Sequence, residues 1–178
     1  MRISHPDAES ESLYKRSVHM EKMLLVDLSK CTGCEACIDA CSSRGSGVYS
    51  EDSSMVRLKR DEPQTVFVPL VCEHCAQHPC ADACPEEAIK YDPGLDIFMV
   101  DDEICTSCGQ CEEACPFEGI FITNDKTLKC DLCKGNPLCV KFCYAGALQW
   151  VEVNPETVMV DLQGKVRKME KLRGEHER

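Results

Sequence analysis

The sequence predicts an α+β fold in which short β-hairpins and short helices enclose an interior that apolar side chains alone would not fill. Hydrophobic residues make up 43% of the 178 positions, but this fraction includes 16 cysteines, and aromatic residues contribute only 6%. Burial of apolar surface has to outweigh the loss of chain entropy, and this inventory is thin for the length. Brief alternations of apolar and polar residues are the second observation, because they favour short strands.

Five stretches carry this strand pattern. Asp92, Pro93 and Gly94 supply turn chemistry before one of the strands. The segment 42–62 is rich in Gly, Ser and charge and is predicted to be an insertion loop that contains one strand. The predicted strands are 23–28, 55–59, 66–71, 97–100, 120–123 and 148–153.

The two ends of the chain have different predictions. Residues 1–22 are polar and are expected to form an N-terminal arm. Residues 154–178 are predicted to form a C-terminal helix and tail, since Asn154, Pro155 and Glu156 are a typical helix start. Two roles are open for this helix, packing on the domain or docking a partner subunit. The apolar positions at helical spacing are Val158, Leu162, Val166, Met169 and Leu172.

The cysteines fall into four quartets with none left over. Each quartet has a short first link of two residues and a last link of three residues, and the second and fourth quartets have longer middle links that contain a proline. The quartets are Cys31, Cys34, Cys37 and Cys41; Cys72, Cys75, Cys80 and Cys84; Cys105, Cys108, Cys111 and Cys115; and Cys130, Cys133, Cys139 and Cys143.

This spacing is typical of ligands to [4Fe–4S] clusters. Three thiolates on one short loop can wrap three corners of a cuboidal cluster, and a fourth cysteine after a three-residue link can reach a second cluster. Zinc fits poorly, because structural zinc sites usually use two separated cysteine pairs. Disulfides are the other alternative, and they are rare in reducing compartments. We therefore predict four [4Fe–4S] clusters as the cofactors.

Charge and hydropathy limit the environment and the partners. The net charge of −11 argues against a nucleic-acid partner, since such a surface needs clustered Lys and Arg. No stretch approaches the roughly 20 apolar residues that would span a bilayer, and the first residues offer no apolar run typical of a signal peptide. We expect a cytoplasmic, anaerobic setting and no direct membrane span.

The quartets, their order and their irregular links resemble the four-cluster iron–sulfur subunits of multi-subunit oxidoreductases, such as dimethyl sulfoxide reductase and formate dehydrogenase. The resemblance covers about residues 23–153. The first two quartets look closest to the iron–sulfur subunit of tungsten-containing aldehyde oxidoreductase. Such a chain carries electrons and is not itself an enzyme, because substrate chemistry takes place in another subunit.

The resemblance implies nested bacterial-ferredoxin-like units within residues 23–153. An inner unit of about 66–123 contains the second and third quartets, and an outer unit comes from 23–65 and 124–153. Ligation crosses within each unit, as in bacterial ferredoxins. The implied ligand sets are Cys31, Cys34, Cys37 and Cys143; Cys130, Cys133, Cys139 and Cys41; Cys72, Cys75, Cys80 and Cys115; and Cys105, Cys108, Cys111 and Cys84.

The residues after the last cysteines differ among the quartets. Proline follows Cys84 and Cys115, whereas Ser42 and Tyr144 keep an N–H that could donate to a nearby sulfur. Hydrogen bonds to the sulfurs tune cluster potentials, so we expect different potentials in the outer unit. His74 and His78 lie within the second quartet and are interpreted as packing or supporting residues, because all four cysteines are present.

The leading functional hypothesis is an electron-transfer subunit. Its expected catalytic partner is a tungsten or molybdenum pterin subunit, with an aldehyde oxidoreductase favoured, and a flavin subunit is a further expected partner. Self-association into longer wires stays open. The alternatives are a free soluble polyferredoxin and a non-redox scaffold or sensor whose clusters are structural.

Overall fold

The computed structural model describes residues 22–47, 49–61, 66–75, 77–152, 158–160 and 166–168. Within them, ten short strands form five antiparallel pairs, and four α-helices and three short 3-10 helices lie between the strands. The 3-10 helices are Leu28–Lys30, Glu51–Ser53 and Leu132–Gly135. The strands are β1 Lys22–Val26, β2 Val56–Asp61, β3 Val66–Val71, β4 Ile89–Asp92, β5 Ile97–Val100, β6 Ile120–Thr123, β7 Lys126–Lys129, β8 Leu148–Glu152, β9 Val158–Val160 and β10 Val166–Lys168.

The strand pairs combine local hairpins with one long-range closure. Strands β2 and β3, β4 and β5, and β6 and β7 pair as neighbours along the chain. Strand β1 pairs with β8, with Leu24 opposite Trp150, so the two ends of the cysteine-containing region are joined. All six predicted strands are present, and β4 and β7 pair with β5 and β6 to form two of the hairpins. The α+β prediction is confirmed.

The helices share a position relative to the cysteines. The third cysteine of every quartet lies in a helix, and in α1 the fourth does as well. Glu35, His78 and Gly109 precede three of these helices with positive φ angles of 62°, 36° and 91°. The chain therefore reverses sharply between the second and third cysteines of each of these quartets. The helices are α1 Ala36–Ser46, α2 Pro79–Asp82, α3 Gln110–Glu113 and α4 Leu138–Lys141.

The interior contains aliphatic side chains mixed with cysteines. One buried cluster includes Cys72, Cys130 and Cys139, and a second includes Cys80 and Cys111. The aliphatic members of the first are Leu24, Ile38, Val56, Val71, Ile97, Leu132 and Leu148, and those of the second are Ile89 and Ile120. The small number of buried apolar side chains is thus arranged around the thiols.

Two predictions about local structure were wrong. The predicted insertion loop begins inside α1, which continues to Ser46 and ends at Gly47, whose φ is 69°. Ser42 Oγ donates to Asp39 O and Ser43 Oγ to Ala40 O, so both hydroxyls bond to the helix backbone. Serines can therefore continue a helix when they bond back to the preceding turn.

The second wrong prediction is the C-terminal helix. The described residues of this segment form the strands β9 and β10 instead. Their antiparallel register places Val160 opposite Val166. β-Branched valines lose side-chain freedom in helices and favour extended backbone, which outweighs the helical spacing of the apolar residues. The remainder of 154–178 and the N-terminal arm, apart from Lys22, lie outside the described residues.

Candidate metal centres

All sixteen cysteines are free, and the cavities that they line and the thiols that act on one another place them in four groups that cross between quartets. Each group is named after one member. The Cys34 group contains Cys31, Cys34, Cys37 and Cys143; the Cys139 group contains Cys41, Cys130, Cys133 and Cys139; the Cys80 group contains Cys72, Cys75, Cys80 and Cys115; and the Cys108 group contains Cys84, Cys105, Cys108 and Cys111. The family resemblance implies these same four sets as cluster ligands, and that ligation stays a prediction.

Two of the groups surround cavities. All four cysteines of the Cys34 group line one cavity, together with Leu58, Pro69, Ala147 and Leu148. All four cysteines of the Cys108 group line another, together with Ala88, Ile89 and Thr127. Each cavity therefore has four cysteines in its wall, together with apolar side chains and a few polar ones such as Glu35 and Glu86. Four cysteines around one cavity are the arrangement expected of ligands to an inorganic cluster.

The thiols that surround Cys80 define the Cys80 group. Burial raises the pKa of the Cys80 thiol to about 11, and the positive charge of Lys129 opposes that rise. The neighbouring thiols that add to the rise are Cys72, Cys75 and Cys115. A cysteine from the third quartet thus lies beside three from the second.

The Cys139 group has a corresponding environment. Burial raises the pKa of Cys139 to about 12, and Cys41 and Cys133 add to the effect. Cys130 is also buried, its pKa is raised by that burial, and Cys139 and Cys41 act on it. A cysteine from the first quartet thus lies beside three from the fourth.

Neighbouring groups also approach one another. Burial and the thiols Cys41 and Cys133 raise the pKa of Cys139, and Cys37 of the Cys34 group adds to this rise. Burial raises the pKa of Cys130, and Cys72 of the Cys80 group adds to that rise. Helix α2, which carries Cys80, contacts helix α3, which carries Cys111. The four groups therefore form a series that runs from the Cys34 group through the Cys139 and Cys80 groups to the Cys108 group.

Such closely grouped, buried thiols fit a cationic thiophilic centre. A buried thiolate is costly unless a positive charge balances it, and soft thiolate ligands select Fe–S clusters, zinc or Cu(I) over oxygen-preferring metals. Within the described part of the chain, no three His, Cys, Asp or Glu side chains converge to hold a single metal ion.

Backbone amides direct hydrogen bonds at the sulfur atoms, which is a further property of cluster sites. The last cysteine of every quartet accepts one: Ala88 N lies 3.3 Å from Cys84 Sγ and Gly119 N 3.4 Å from Cys115 Sγ. Leu148 N lies 3.4 Å from Cys143 Sγ and Met55 N 3.3 Å from Cys41 Sγ. The first cysteines of the second and fourth quartets accept from His74 N and Leu132 N, each at 3.4 Å.

These donors correct one detail of the sequence prediction. Tyr144 N–H donates to Phe142 O, so it does not serve the sulfur of Cys143. The donors to Cys41 and Cys143 are Met55 and Leu148 instead, because the chain after each last cysteine folds back over its sulfur. Leu148 is five residues from its acceptor and Met55 is fourteen, so no local signal indicated the second.

His74 supplies an independent test of the fit. Its two ring nitrogens are shielded from solvent and have no hydrogen-bond partner among the described residues. Burial lowers the pKa of His74 to about 3, so the ring is neutral, and a neutral imidazole still carries one N–H donor. The unpaired N–H of His74 lies next to the Cys80 group. It fits a site in which a bound cluster would supply a sulfur atom as the hydrogen-bond acceptor. The burial of His74 thus agrees with the packing or supporting role that the sequence predicted.

Three further side chains near the sulfurs were not predicted. Thr127 Oγ1 lies 3.3 Å from Cys105 Sγ. Arg44 pairs with Asp131. The hydrogen bond with Asp131 raises the pKa of Arg44, burial opposes this rise, and a hydrogen bond with Cys133 adds to it. Lys129 is buried, with 5% of its surface exposed. Thr127 and Lys129 both lie on β7 and Arg44 lies on α1, and neither element carries the neighbouring cysteines Cys105, Cys133 and Cys80, so sequence spacing could not reveal them.

The comparisons with known proteins agree with this geometry. Residues 63–153 match the family described as a 4Fe–4S dicluster domain, and residues 24–91 match a 4Fe–4S single cluster domain. No helix among the described residues is both long and apolar enough to cross a membrane.

Three relatives illustrate the similarity. An uncharacterized ferredoxin of Methanocaldococcus jannaschii is 35% identical over 76% of this chain and 75% of that protein. The polyferredoxin-like subunit of an aliphatic sulfonate oxidoreductase of Pyrococcus furiosus is 36% identical over 68% and 70%. A tetrathionate reductase subunit of Archaeoglobus fulgidus is 38% identical over 61% and 53%. The chain therefore belongs to the 4Fe–4S dicluster family of ferredoxin-type electron-transfer proteins.

Proposed function

We propose that the sixteen cysteines hold four [4Fe–4S] clusters and that this chain conducts electrons along them as the iron–sulfur subunit of an oxidoreductase complex. The observation that carries the proposal is the formation of four groups of four thiols, each of which takes three cysteines from one quartet and one from another. The Cys80 and Cys108 groups form the inner unit, and the Cys34 and Cys139 groups form the outer unit.

The serial arrangement supports an electron path. Cys34 and Cys108 are exposed and belong to the two groups at the ends of the series, whereas no cysteine of the Cys139 or Cys80 group is exposed. Electrons would enter at one exposed end, pass through the two middle groups and leave at the other. The contacts between neighbouring groups, through α1 and α4 in the outer unit and α2 and α3 in the inner unit, support this order.

The chain's own residues bind, insulate and tune each centre. Thiolates hold the iron, and the clusters, when bound, supply reversible one-electron chemistry. Backbone N–H groups from Ala88, Gly119 and Leu148 stabilise negative charge on the last sulfur of their quartets. Aliphatic side chains such as Val71, Ile120 and Leu148, each 2% exposed, exclude water. No proton needs to be transferred by these groups for an electron to pass.

The proposed partner is a tungsten or molybdenum pterin catalytic subunit in the cytoplasm, with an aldehyde oxidoreductase favoured, and a flavin subunit as the second redox partner. The relative from Pyrococcus is named as a subunit of an aliphatic sulfonate oxidoreductase, which supports a catalytic partner for this chain. Partners with basic surfaces are favoured by its net charge of −11.

Native purification under anaerobic conditions tests this function. We expect the chain to sediment with a larger subunit that contains tungsten or molybdenum, and substrate oxidation by that complex to reduce the clusters of this chain. Sedimentation of the 19.9 kDa chain alone would favour a free polyferredoxin and contradict the subunit assignment. Clusters that never change oxidation state would instead indicate a structural scaffold.

A further inference from the structure

Lys129 carries a buried charge that electron transfer by the cysteines does not by itself require. It is the last residue of β7, lies opposite Ile120 of β6, and immediately precedes Cys130. Only 5% of Lys129 is exposed. Lysines are almost never fully buried unless their charge is paired, because removal of the ammonium from water is costly.

The hydrogen-bond partner of Lys129 does not balance this charge. Its Nζ donates to Phe98 O at 2.5 Å, and that acceptor is a neutral carbonyl on β5. An ammonium has three donors, so this bond uses one of them. The ring of Phe98 packs against the buried cluster that contains Cys80, and its centroid lies 4.2 Å from that of His78. Lys129 is therefore held against the loop of the Cys80 group.

The surrounding groups show where the charge acts. Burial raises the pKa of Cys75, and Lys129 is among the groups that lower it, as it is for Cys80. The pKa of His78 is lowered mainly by burial and also by Lys129, while Asp82 opposes this. The bond of Lys129 to Phe98 O, the packing of Phe98 on the buried cluster that contains Cys80 and the 5% exposure of Lys129 thus place the ammonium on the side of the Cys80 group.

Lys30 occupies the same sequence position in the first quartet, directly before Cys31, and its environment is the opposite. Its side chain is 49% exposed and forms an ion pair with Asp27 at 3.2 Å. Both lysines precede a Cys-x2-Cys pair, so only the tertiary fold distinguishes them. Lys30 is therefore a matched control for the effect of burial.

We infer that Lys129 is the countercharge of the cluster held by the Cys80 group and raises its reduction potential relative to the other three clusters; this rests on the proposed function. Four thiolates around an oxidised [4Fe–4S] core leave a net charge of about −2, and reduction makes it about −3. A buried cation stabilises the more negative state more strongly, since charges interact over longer range where water is excluded. Lys129 acts as a positioning residue and transfers no electron itself.

The test is an anaerobic redox titration of the full chain, followed by electron paramagnetic resonance, for Lys129→Met, Lys129→Arg and Lys30→Met. We expect Lys129→Met to decrease the equilibrium constant for reduction of one cluster by about tenfold, which is about 59 mV for one electron. Lys129→Arg keeps the charge and restores most of the change. Lys30→Met leaves all four potentials unchanged.

The affected cluster is identified by the double variant Lys129→Met with Cys80→Ser. Because Cys80→Ser removes the signal of that cluster, Lys129→Met should then cause no further shift in the remaining three. A shift that persists in the double variant would place the charge at another cluster and overturn the inference.

Other outcomes separate this inference from the proposed function. Full iron content with unchanged potentials in Lys129→Met would refute the role of Lys129 and leave the electron-transfer function intact. If Lys129→Met loses iron, Lys129→Gln and Lys129→Arg are compared at matched iron content, and equal potentials in the two would contradict the inference. Absence of any reversible reduction in the wild-type chain would contradict the proposed function itself.

Discussion

The end groups and the middle groups of the proposed electron path differ in exposure and in charge. The Cys34 and Cys108 groups each contain one exposed cysteine, whereas the Cys139 and Cys80 groups each contain two buried ones and none that is exposed. Arg44 lies beside the Cys139 group and Lys129 beside the Cys80 group. The ends are thus open to partner proteins, while the middle groups are more buried, and the charge of Arg44 beside them is already paired with Asp131.

This difference assigns two tasks to four similar sequence motifs. An exposed ligand shortens the distance between its cluster and a redox partner. A cation beside a buried cluster stabilises the negative charge of that cluster where water no longer does so. The same Cys-x2-Cys pattern serves both tasks because the environment is set by the elements packed around each loop. Variants in the middle should therefore affect the whole path, and variants at the ends should affect one exchange step.

Cys139→Ser is expected to have the largest effect. Cys139 is 5% exposed and lies in the middle of the series, so its loss should remove one cluster, about four iron atoms, and abolish electron transfer from one end to the other. Cys34→Ser is the matched end variant, and it should retain transfer between the Cys108 end and the middle. Stopped-flow reduction with an artificial donor measures both. Retained end-to-end transfer in Cys139→Ser would refute a single linear path.

Gly119→Ala should have the next largest effect, because an added Cβ would lie 2.8 Å from both Cys72 Cα and Val71 O. Both atoms are backbone and cannot move independently of the Cys80 group. We expect destabilisation of about 1–3 kcal/mol, as for other overpacked sites, with early loss of the Cys80 cluster signal during anaerobic unfolding.

Gly94→Ala is the control for this substitution. Its added Cβ would meet only Asp92 Oδ1, at 3.2 Å, in the exposed turn between β4 and β5. We expect a change within about 0.5 kcal/mol. Equal stability of the two variants would show that the backbone around the Cys80 group is not tightly packed.

Ser54→Ala is expected to have a smaller effect that is also confined to the middle. Ser54 is fully buried, and its Oγ donates to Val56 O at 2.9 Å and accepts from Val56 N at 3.1 Å. Its loss should cost about 1 kcal/mol and loosen Met55, whose N–H donates to Cys41 Sγ. We expect a lower potential for the Cys139 cluster and no change at the ends.

Ser53→Ala provides the comparison, because Ser53 Oγ is exposed and donates to Ser50 O at 3.0 Å. Thermal unfolding and redox titration of both variants should show a change only for Ser54→Ala. A shift of the Cys34 cluster in either variant would contradict the local action of the Met55 hydrogen bond.

Local pattern was sufficient to predict most of the strands. The alternation in 66–71, 97–100 and 120–123 predicted strands with the bounds that the structure has, because one face of each packs on the interior. β7 was missed, since Lys126–Lys129 contains two lysines and one of them is buried. The end of α1 was missed because Ser42 and Ser43 bond to their own helix.

The family resemblance implies ligand sets for the sixteen cysteines, and these sets stay a prediction, but neither it nor the spacing indicates what surrounds the thiols. Lys30 and Lys129 illustrate the limit, because identical local positions lead to an exposed and a buried side chain. Burial depends on β5 and β7 packing together, which no motif encodes. The unpaired ring nitrogens of His74 and the Met55 donor to Cys41 likewise depend on tertiary contacts.

Determination of iron, acid-labile sulfide and zinc in anaerobically purified chain tests the central claim most directly. Four clusters require about 16 iron and about 16 sulfide atoms per chain, with negligible zinc. About half that iron would mean that only two of the four groups hold clusters. About four zinc atoms without sulfide would contradict the account, because the thiols would then bind single ions that carry no electrons.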